Sequence, residues 1–232
     1  MQFWWVVPAA GAGQRMGAAL PKQYLSLAGR SVFYWTLKQL SEMHGFAGTV
    51  VAIAPDDQRA RQNVPEGMHV YWAEGGVERS DSVARALEVV AELAAPDDWV
   101  LVHDVARPCI DSQDVERLIE VAVQRSGGAG ALLAAPIADT IKRAQEGAVA
   151  ATVDRSELWS ALTPQMFRLN RLREALRVAR QRGVMIRDES SAVELLGDCP
   201  LLVRGRRDNL KITWPEDMVM VEAILSQRGV IQ

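Results

Sequence analysis

Cysteine is scarce: Cys109 and Cys199 are the only two in 232 residues, and they show no zinc-type spacing. That excludes a disulfide framework or a structural zinc site as the organising device, and both thiols read as small, buried, reduced residues of a cytoplasmic protein. An excess of positive charge is missing too. Lys and Arg number 26 against 29 Asp and Glu, a net charge of -3 with an isoelectric point near 5.7. No overall basic field exists to hold a nucleic acid backbone, although a local basic cluster can still bind a small anion. Long apolar runs are also absent, and nothing approaches the roughly 18 residues a membrane helix needs. FWWVVPAA has no Lys or Arg before it and runs straight into GAGQRMG, so it reads as a first core strand and not as a secretory signal. The expectation is a soluble protein with neither nucleic acid nor membrane as partner.

What is present is 49% hydrophobic and 24% charged residues, which suits one globular domain whose core needs no staples. Apolar runs alternate with helical periods. After the opening strand, Val32, Phe33, Leu37, Leu40 and Met43 recur at helical spacing, and GTVVAIAP is a short continuous strand bounded by Gly48 and Pro55. MHVYWAEGG is the next strand, followed by the stripe Val83, Leu87, Val90 and Ala94. DDWVLVHD then precedes the helical set Val115, Leu118, Ile119 and Ala122, with Asp111 or Ser112 as cap, and GALLAAP follows. Buried strands separated by helices imply an α/β fold with a single open, mostly parallel sheet and right-handed crossovers.

The pattern breaks at Pro136. IADTIKRAQEGAVAATVDR reads as two extended arms around a Glu146-Gly147 turn, too polar for a sheet centre. A two-stranded ribbon is marginal in water, so this arm, about residues 137–155, leans on its own domain or on another subunit. Helical spacing resumes at Leu172, Ala175, Leu176 and Ala179. Thr213-Trp214-Pro215-Glu216 announces a last helix by a capping-box spacing with Pro in the first turn.

Chemistry concentrates in VVPAAGAGQRMGAALPKQY, Val6 to Tyr24. Gly11, Gly13 and Gly17 form G-x-G-x-x-x-G, one residue off the dinucleotide fingerprint; such spacing serves an ordinary strand-to-helix turn as well as a phosphate-cradling loop. Dinucleotide folds use a neutral loop and an acidic ribose ligand about 20 residues on. Here Arg15 sits inside the loop and Pro21 stiffens the approach to Lys22. Fixed cations suit a reaction that builds negative charge on phosphorus, whereas ordinary solvated surface charge is the alternative for each.

PAAGAGQRMGAALPKQY, GGVERSDSV, VLVHDVARP, the Asp139-Thr140 arm, TVDR, ALTPQ and GRRDNLKIT, in that order, resemble the 2-C-methyl-D-erythritol 4-phosphate cytidylyltransferases of the non-mevalonate isoprenoid pathway. The resemblance covers nearly the whole chain. It implies a Rossmann-like nucleotidyltransferase fold with a protruding β-arm, and transfer of CMP from CTP to a sugar-alcohol phosphate with Mg2+ and release of pyrophosphate. It implies catalytic roles for Arg15 and Lys22 at the α-phosphate, and for Arg155 and Lys211 in orienting the acceptor. Pro8, Ala9, Ala10, Gly11 and Gly13 would hold the nucleotide, with Gly76 and Ser82 at the base. Thr140 and Arg107 are further acceptor contacts, and Asp104 and Asp208 the carboxylates for the metal. The β-arm would complete the site of a neighbour in a homodimer. Val77 departs from the polar residue that some family members carry, so base recognition leans on main-chain groups. The second loop is equally an ordinary helix start capped by Ser80 or Asp81, either aspartate of the metal pair is by itself an ordinary cap or loop charge, and the arm is equally a surface hairpin.

A phosphomonoester near neutral pH has lost most of its second proton, its pKa being about 6, so the attack needs no general base. His103 beside Asp104 accordingly reads as a strand-end structural histidine, and His44 and His69 as bystanders. Three rival functions share parts of the pattern: a cytidylyltransferase acting on ribitol 5-phosphate, an NAD(P)-dependent oxidoreductase, and a nucleotide-binding regulator without catalysis.

Overall fold

The computed structural model describes residues 1–11 and 20–231. Its strands and helices follow in the order β1 (Phe3–Pro8), β2 (Ser26–Leu27), β3 (Arg30–Ser31), α1 (Val32–Ser41), β4 (Gly48–Ile53), β5 (Val70–Glu74), α2 (Arg79–Leu93), β6 (Trp99–Val102), α3 (Ser112–Arg125) and β7 (Ala131–Pro136). There follow β8 (Ile141–Gln145), β9 (Ala148–Val153), β10 (Trp159–Arg168), α4 (Leu169–Gln181), α5 (Glu189–Glu194), β11 (Leu201–Arg204) and α6 (Pro215–Gln227).

Seven strands form the central sheet in the order β11-β7-β10-β6-β1-β4-β5. All neighbours run parallel except β10, which is antiparallel to both β6 and β7. Val6 lies opposite Val50 on one side and Val102 on the other, at the heart of the sheet. Because successive side chains of a strand point to opposite faces, Trp5 and Val7 join Phe33, Leu37 and Leu118 in one core, while Trp4 and Val6 join Leu87, Val90, Leu172 and Leu176 in the other. Each fully buried aliphatic or aromatic side chain contributes about 1.5–3 kcal/mol. Strands buried on both faces explain why the sequence shows continuous apolar runs and not alternation.

β10 is the element that the alternation of strands and helices does not reveal. Pro164 within it lacks the N–H that a ladder needs, and the pairing with β7 shifts register between Ala161 and Gln165, where that proline falls. β7 and β10 are neighbours, and the ribbon β8–β9 extends beyond them as a separate two-stranded sheet whose turn, Glu146-Gly147, has positive φ at both residues. A pair of positive φ angles is the geometry that matches the twist of two hairpin strands.

Several local expectations are corrected. α2 is capped by Glu78 and not by Ser80 or Asp81; Asp81 instead accepts from the Glu78 N–H. α3, by contrast, takes Asp111, one of its two expected caps, which accepts from the N–H groups of Gln113 and Asp114. Ala94 lies just past the end of α2, and Met43 past the end of α1, though Met43 still packs on the core. Cys109 is buried, but Cys199 is exposed, against the expectation of two buried thiols. α6 begins after Trp214, and the carboxylate of Asp217, not of Glu216, accepts from the N–H groups of Thr213 (2.7 Å) and Trp214 (2.8 Å). Asp217→Ala should therefore lower unfolding free energy by about 1 kcal/mol, and Glu216→Ala by less than about 0.5 kcal/mol, as read from denaturant midpoints.

Candidate functional site

The cleft lies at the carboxyl ends of the parallel strands, where an open α/β sheet collects its ligands. Pro8 to Gly11 follow β1, Gly76 to Ser82 lead from β5 into α2, Asp104 to Ala106 follow β6, and Lys22, Gln23 and Lys211 close the lining. The enclosed volume is about 250 Å³.

Backbone hydrogen bonds fix the two loops. Ala9 N–H donates to Ala52 O, Gly75 N–H to Ile53 O, and the buried Gln23 amide to Ala9 O at 2.9 Å. The loops touch at Gly75, where a Cβ would stand 2.2 Å from the Ala10 Cβ, so only glycine permits the approach. Ser82 turns inward from the first turn of α2: its hydroxyl accepts from Gly76 N–H (3.0 Å) and donates to Glu78 O (3.2 Å), leaving one lone pair. Val77 is 97% exposed.

The charged end centres on Asp104, 6% exposed. Arg79 Nε donates to its Oδ1 at 2.9 Å, Lys211 Nζ lies 2.7 Å from Oδ2, and Arg107 Nε stands 3.6 Å from the same oxygen. Burial pushes its pKa up, but Arg79, Lys211 and Arg107 outweigh that and hold the carboxyl far below the usual range. Arg107 is itself buried, which depresses its pKa against the pull of Asp104, and it donates to Asn209 O at 2.7 Å. Arg79 also grips the buried Glu189 with both terminal nitrogens, at 2.6 and 3.1 Å. Lys22 Nζ donates to Ile212 O at 2.7 Å.

His103 is fully buried, and burial lowers its pKa to about 4, so it is neutral at pH 7. Its Nε2 lies 3.0 Å from the carbonyl of Arg107, which can only accept; the proton therefore sits on Nε2, and Nδ1 accepts from the Thr163 hydroxyl at 3.0 Å. Thr163 in turn accepts from Asp104 N–H at 3.1 Å. The imidazole is thus a structural group with no free nitrogen.

Of the residues singled out in the sequence, Pro8, Ala9, Ala10, Gly11, Lys22, Gly76, Ser82, Asp104 and Lys211 line this one cleft. Arg107 lines an adjoining pocket that shares Arg79, Asp104 and Lys211 with it. Gly13 and Arg15 lie outside the described residues. Thr140 and Arg155 are exposed on the arm and line neither pocket of their own chain. Asp208 does not join Asp104: it lines neither pocket, and its oxygens accept from Arg206 at 3.0 and 3.1 Å and lie 2.8 Å from Arg228. Those guanidiniums outweigh its partial burial and lower its pKa. Among the described residues no three His, Cys, Asp or Glu side chains gather as a metal cage.

The profile of the 2-C-methyl-D-erythritol 4-phosphate cytidylyltransferase family (IspD) matches residues 3–227. The chain belongs to this family. A relative of that description from Pseudomonas aeruginosa is 50% identical over 95% of this chain and 94% of its own, and one from Vibrio atlanticus is 48% identical over 96% and 94%. The solved cytidylyltransferase of Francisella tularensis superposes with a TM-score of 0.84 at 30% identity, covering 97% of this chain and 100% of its own. That of Thermus thermophilus gives 0.80 at 36% identity over 97% and 100%. The chain is accordingly a cytidylyltransferase, and the oxidoreductase and regulator readings fall away.

Sequence reasoning missed Arg79, Gln23, Thr163 and Glu189. Arg79 lies inside GGVERSDSV, but a helix-start arginine looks like solvated charge until its partners are seen. Nothing in the sequence ties Glu189 to it across 110 residues. For this cytidylyltransferase, Gly75→Ala should force the two loops apart, costing about 1–3 kcal/mol of stability, and should raise the KM for nucleotide in steady-state assays.

Proposed function

We infer that the cleft transfers CMP from CTP to 2-C-methyl-D-erythritol 4-phosphate, as the names of its relatives describe, with the residues acting as follows. A phosphate oxygen of the acceptor forms a bond to the α-phosphorus as the bond to the β-phosphate oxygen breaks, and pyrophosphate leaves with that electron pair. The observation that carries this reading is the convergence of Pro8–Gly11, Lys22, Gly76, Ser82, Asp104 and Lys211 on one cleft from segments some 200 residues apart. Main-chain groups of the two loops hold ribose and base, with Ser82 offering its remaining lone pair to a cytosine amine. Lys22, together with Arg15, meets the charge that grows on the phosphates. Lys211 keeps Asp104 with one N–H and turns its remaining donors to the acceptor phosphate. No proton has to be removed from the acceptor, which agrees with a His103 whose two nitrogens are already engaged.

The donor set fits Mg2+ at Asp104 alone. A single hard carboxylate in the cleft suits an ion that would keep its waters and arrive on the nucleotide, whereas Asp208 lines neither pocket. Such an ion supplies charge neutralisation at the phosphates. The chain functions as one nucleotidyltransferase domain in a homodimer, each arm carrying Thr140 and Arg155 to the neighbour's acceptor site; the exposure of both residues and their separation from their own cleft support this. Scarce, unpaired cysteines suit a cytoplasmic address.

Pyrophosphate release measured over the four nucleoside triphosphates with methylerythritol phosphate and ribitol phosphate as acceptors tests the reading; preference for ribitol phosphate or for a nucleotide other than CTP overturns it. Lys22→Ala and Arg15→Ala should each lower kcat on the order of 100-fold or more, and unchanged kcat removes the transition-state role. Arg155→Ala should raise the KM for the acceptor. Assayed with acceptor far below that raised KM, its mixture with Lys22→Ala should recover about a quarter of wild-type activity, because half of the dimers are mixed and each holds one intact site of two. Failure to recover argues against the shared site.

A further inference from the structure

Glu189 opens α5, lines neither pocket of the cleft, and is only 1% exposed. A buried carboxylate needs a partner, and this one has a bidentate one: both oxygens accept from the terminal nitrogens of Arg79. The remaining nitrogen of that guanidinium, Nε, is the one that holds Asp104 Oδ1 at 2.9 Å. One planar fork therefore fixes two carboxylates relative to each other. Asp104 Oδ2 passes the arrangement on to Lys211 Nζ at 2.7 Å.

The main chain around Glu189 has little slack. Gln165 of β10 accepts from Ser190 N–H at 2.8 Å and donates to Asp188 at 3.0 Å, while Asp188 caps α5 by accepting from Ser191 N–H. Ala192 and Val193 of the same short helix are buried against Leu172 and Leu176 of α4. The carboxylate is thus presented by a rigid mount to Arg79, the first residue of the helix that also carries Ser82.

Charge bookkeeping points the same way. Arg79, Arg107 and Lys211 face Asp104 and Glu189, three cations against two carboxylates. Without Glu189 only Asp104 would remain to balance three cations, and Arg79 would lose two of the three hydrogen bonds that set its plane. Asp104 would then be drawn toward a mobile guanidinium and away from Lys211.

We propose that Glu189 is a positioning residue for cytidylyl transfer, acting through Arg79 to hold Asp104 in register with Lys211. This rests on the role given above to Asp104 and Lys211. It assigns a residue that lines neither pocket an effect on the chemical step, because a small misplacement of an orienting group costs turnover more than binding.

The test compares Glu189→Gln, Glu189→Asp, Arg79→Lys and the double variant Glu189→Gln/Arg79→Lys with Asp198→Asn, which breaks the partly buried Arg171–Asp198 pair outside the cleft and serves as a stability control. All are assayed for pyrophosphate release at a temperature where circular dichroism shows each folded. Glu189→Gln should lower kcat on the order of 10-fold to 100-fold with the KM for CTP within about threefold. Glu189→Asp should regain part of the loss, and the double variant should be no worse than the poorer single one, since both act along one chain of contacts. The proposal is overturned if Glu189→Gln keeps kcat within about twofold, if Asp198→Asn loses as much turnover for an equal loss of melting temperature, or if the two single losses add. Should Glu189→Gln not fold, Arg79→Lys and Glu189→Asp carry the same comparison. Lys211→Ala separates the two levels: if it retains turnover, the role of Lys211 itself is wrong, whereas its loss of turnover beside an active Glu189→Gln refutes the positioning alone.

Discussion

A carboxylate taken out of water at the end of a strand must be neutralised, and the cleft is built around meeting that demand at Asp104. Removing an isolated ionised carboxylate from water costs several kcal/mol. Asp104 meets the demand with Arg79 from the start of α2, Arg107 from its own loop and Lys211 from the segment before α6. Each partner lies on a different element, so satisfying one charge draws three pieces of chain to the same edge of the sheet. The loops lining the cleft then inherit their spacing from those pieces, because Ser82 and Arg79 share the first turn of α2.

The antiparallel strand β10 serves the same end. By running against β6 and β7 it brings Thr163 beside His103 and Asp104, and Gln165 beside α5. It also explains where the arm grows: β7 and β10 are hydrogen-bonded neighbours, and the chain between them continues outward as β8 and β9. A hairpin with so little buried surface holds its shape by its turn and cross-strand bonds such as Lys142 to Thr152, and leaves Thr140 and Arg155 in solvent.

Much of this was legible in the chain because parallel strands buried on both faces write themselves as unbroken apolar runs, and helices between them as stripes. VVAI, WVLV and ALLAA are strands at the positions where those runs stand. What hid β10 was Pro164, which argues against a central strand unless the register shift that accommodates it is known. Caps were displaced by a residue or more because an acidic side chain three positions inside a helix can take the place of a hydroxyl at the boundary, as Asp81 and Asp217 do. At the site, glycine, proline and lysine in Pro8–Lys22 carry a recognisable spacing. Charge networks do not: whether Asp208 turns toward Asp104 or toward Arg206 and Arg228 depends on long-range geometry, and so does the pairing of Arg79 with Glu189.

The surplus of charge at the cleft sets what the rest of the machinery has to supply. Arg79, Arg107 and Lys211 against Asp104 and Glu189 leave one net positive charge. A phosphomonoester alone brings about 1.5 to 2 negative charges near neutral pH, and a triphosphate adds more. Bringing two such anions together in a cleft partly shielded from water is the main barrier to be lowered, since positioning and charge stabilisation are nearly all that phosphoryl transfer asks of a protein. The network at Asp104 cannot meet that demand, because most of its positive charge is already paired with Asp104 and Glu189. The balance has to come from further positive charge and main-chain dipoles brought to bear on the phosphates.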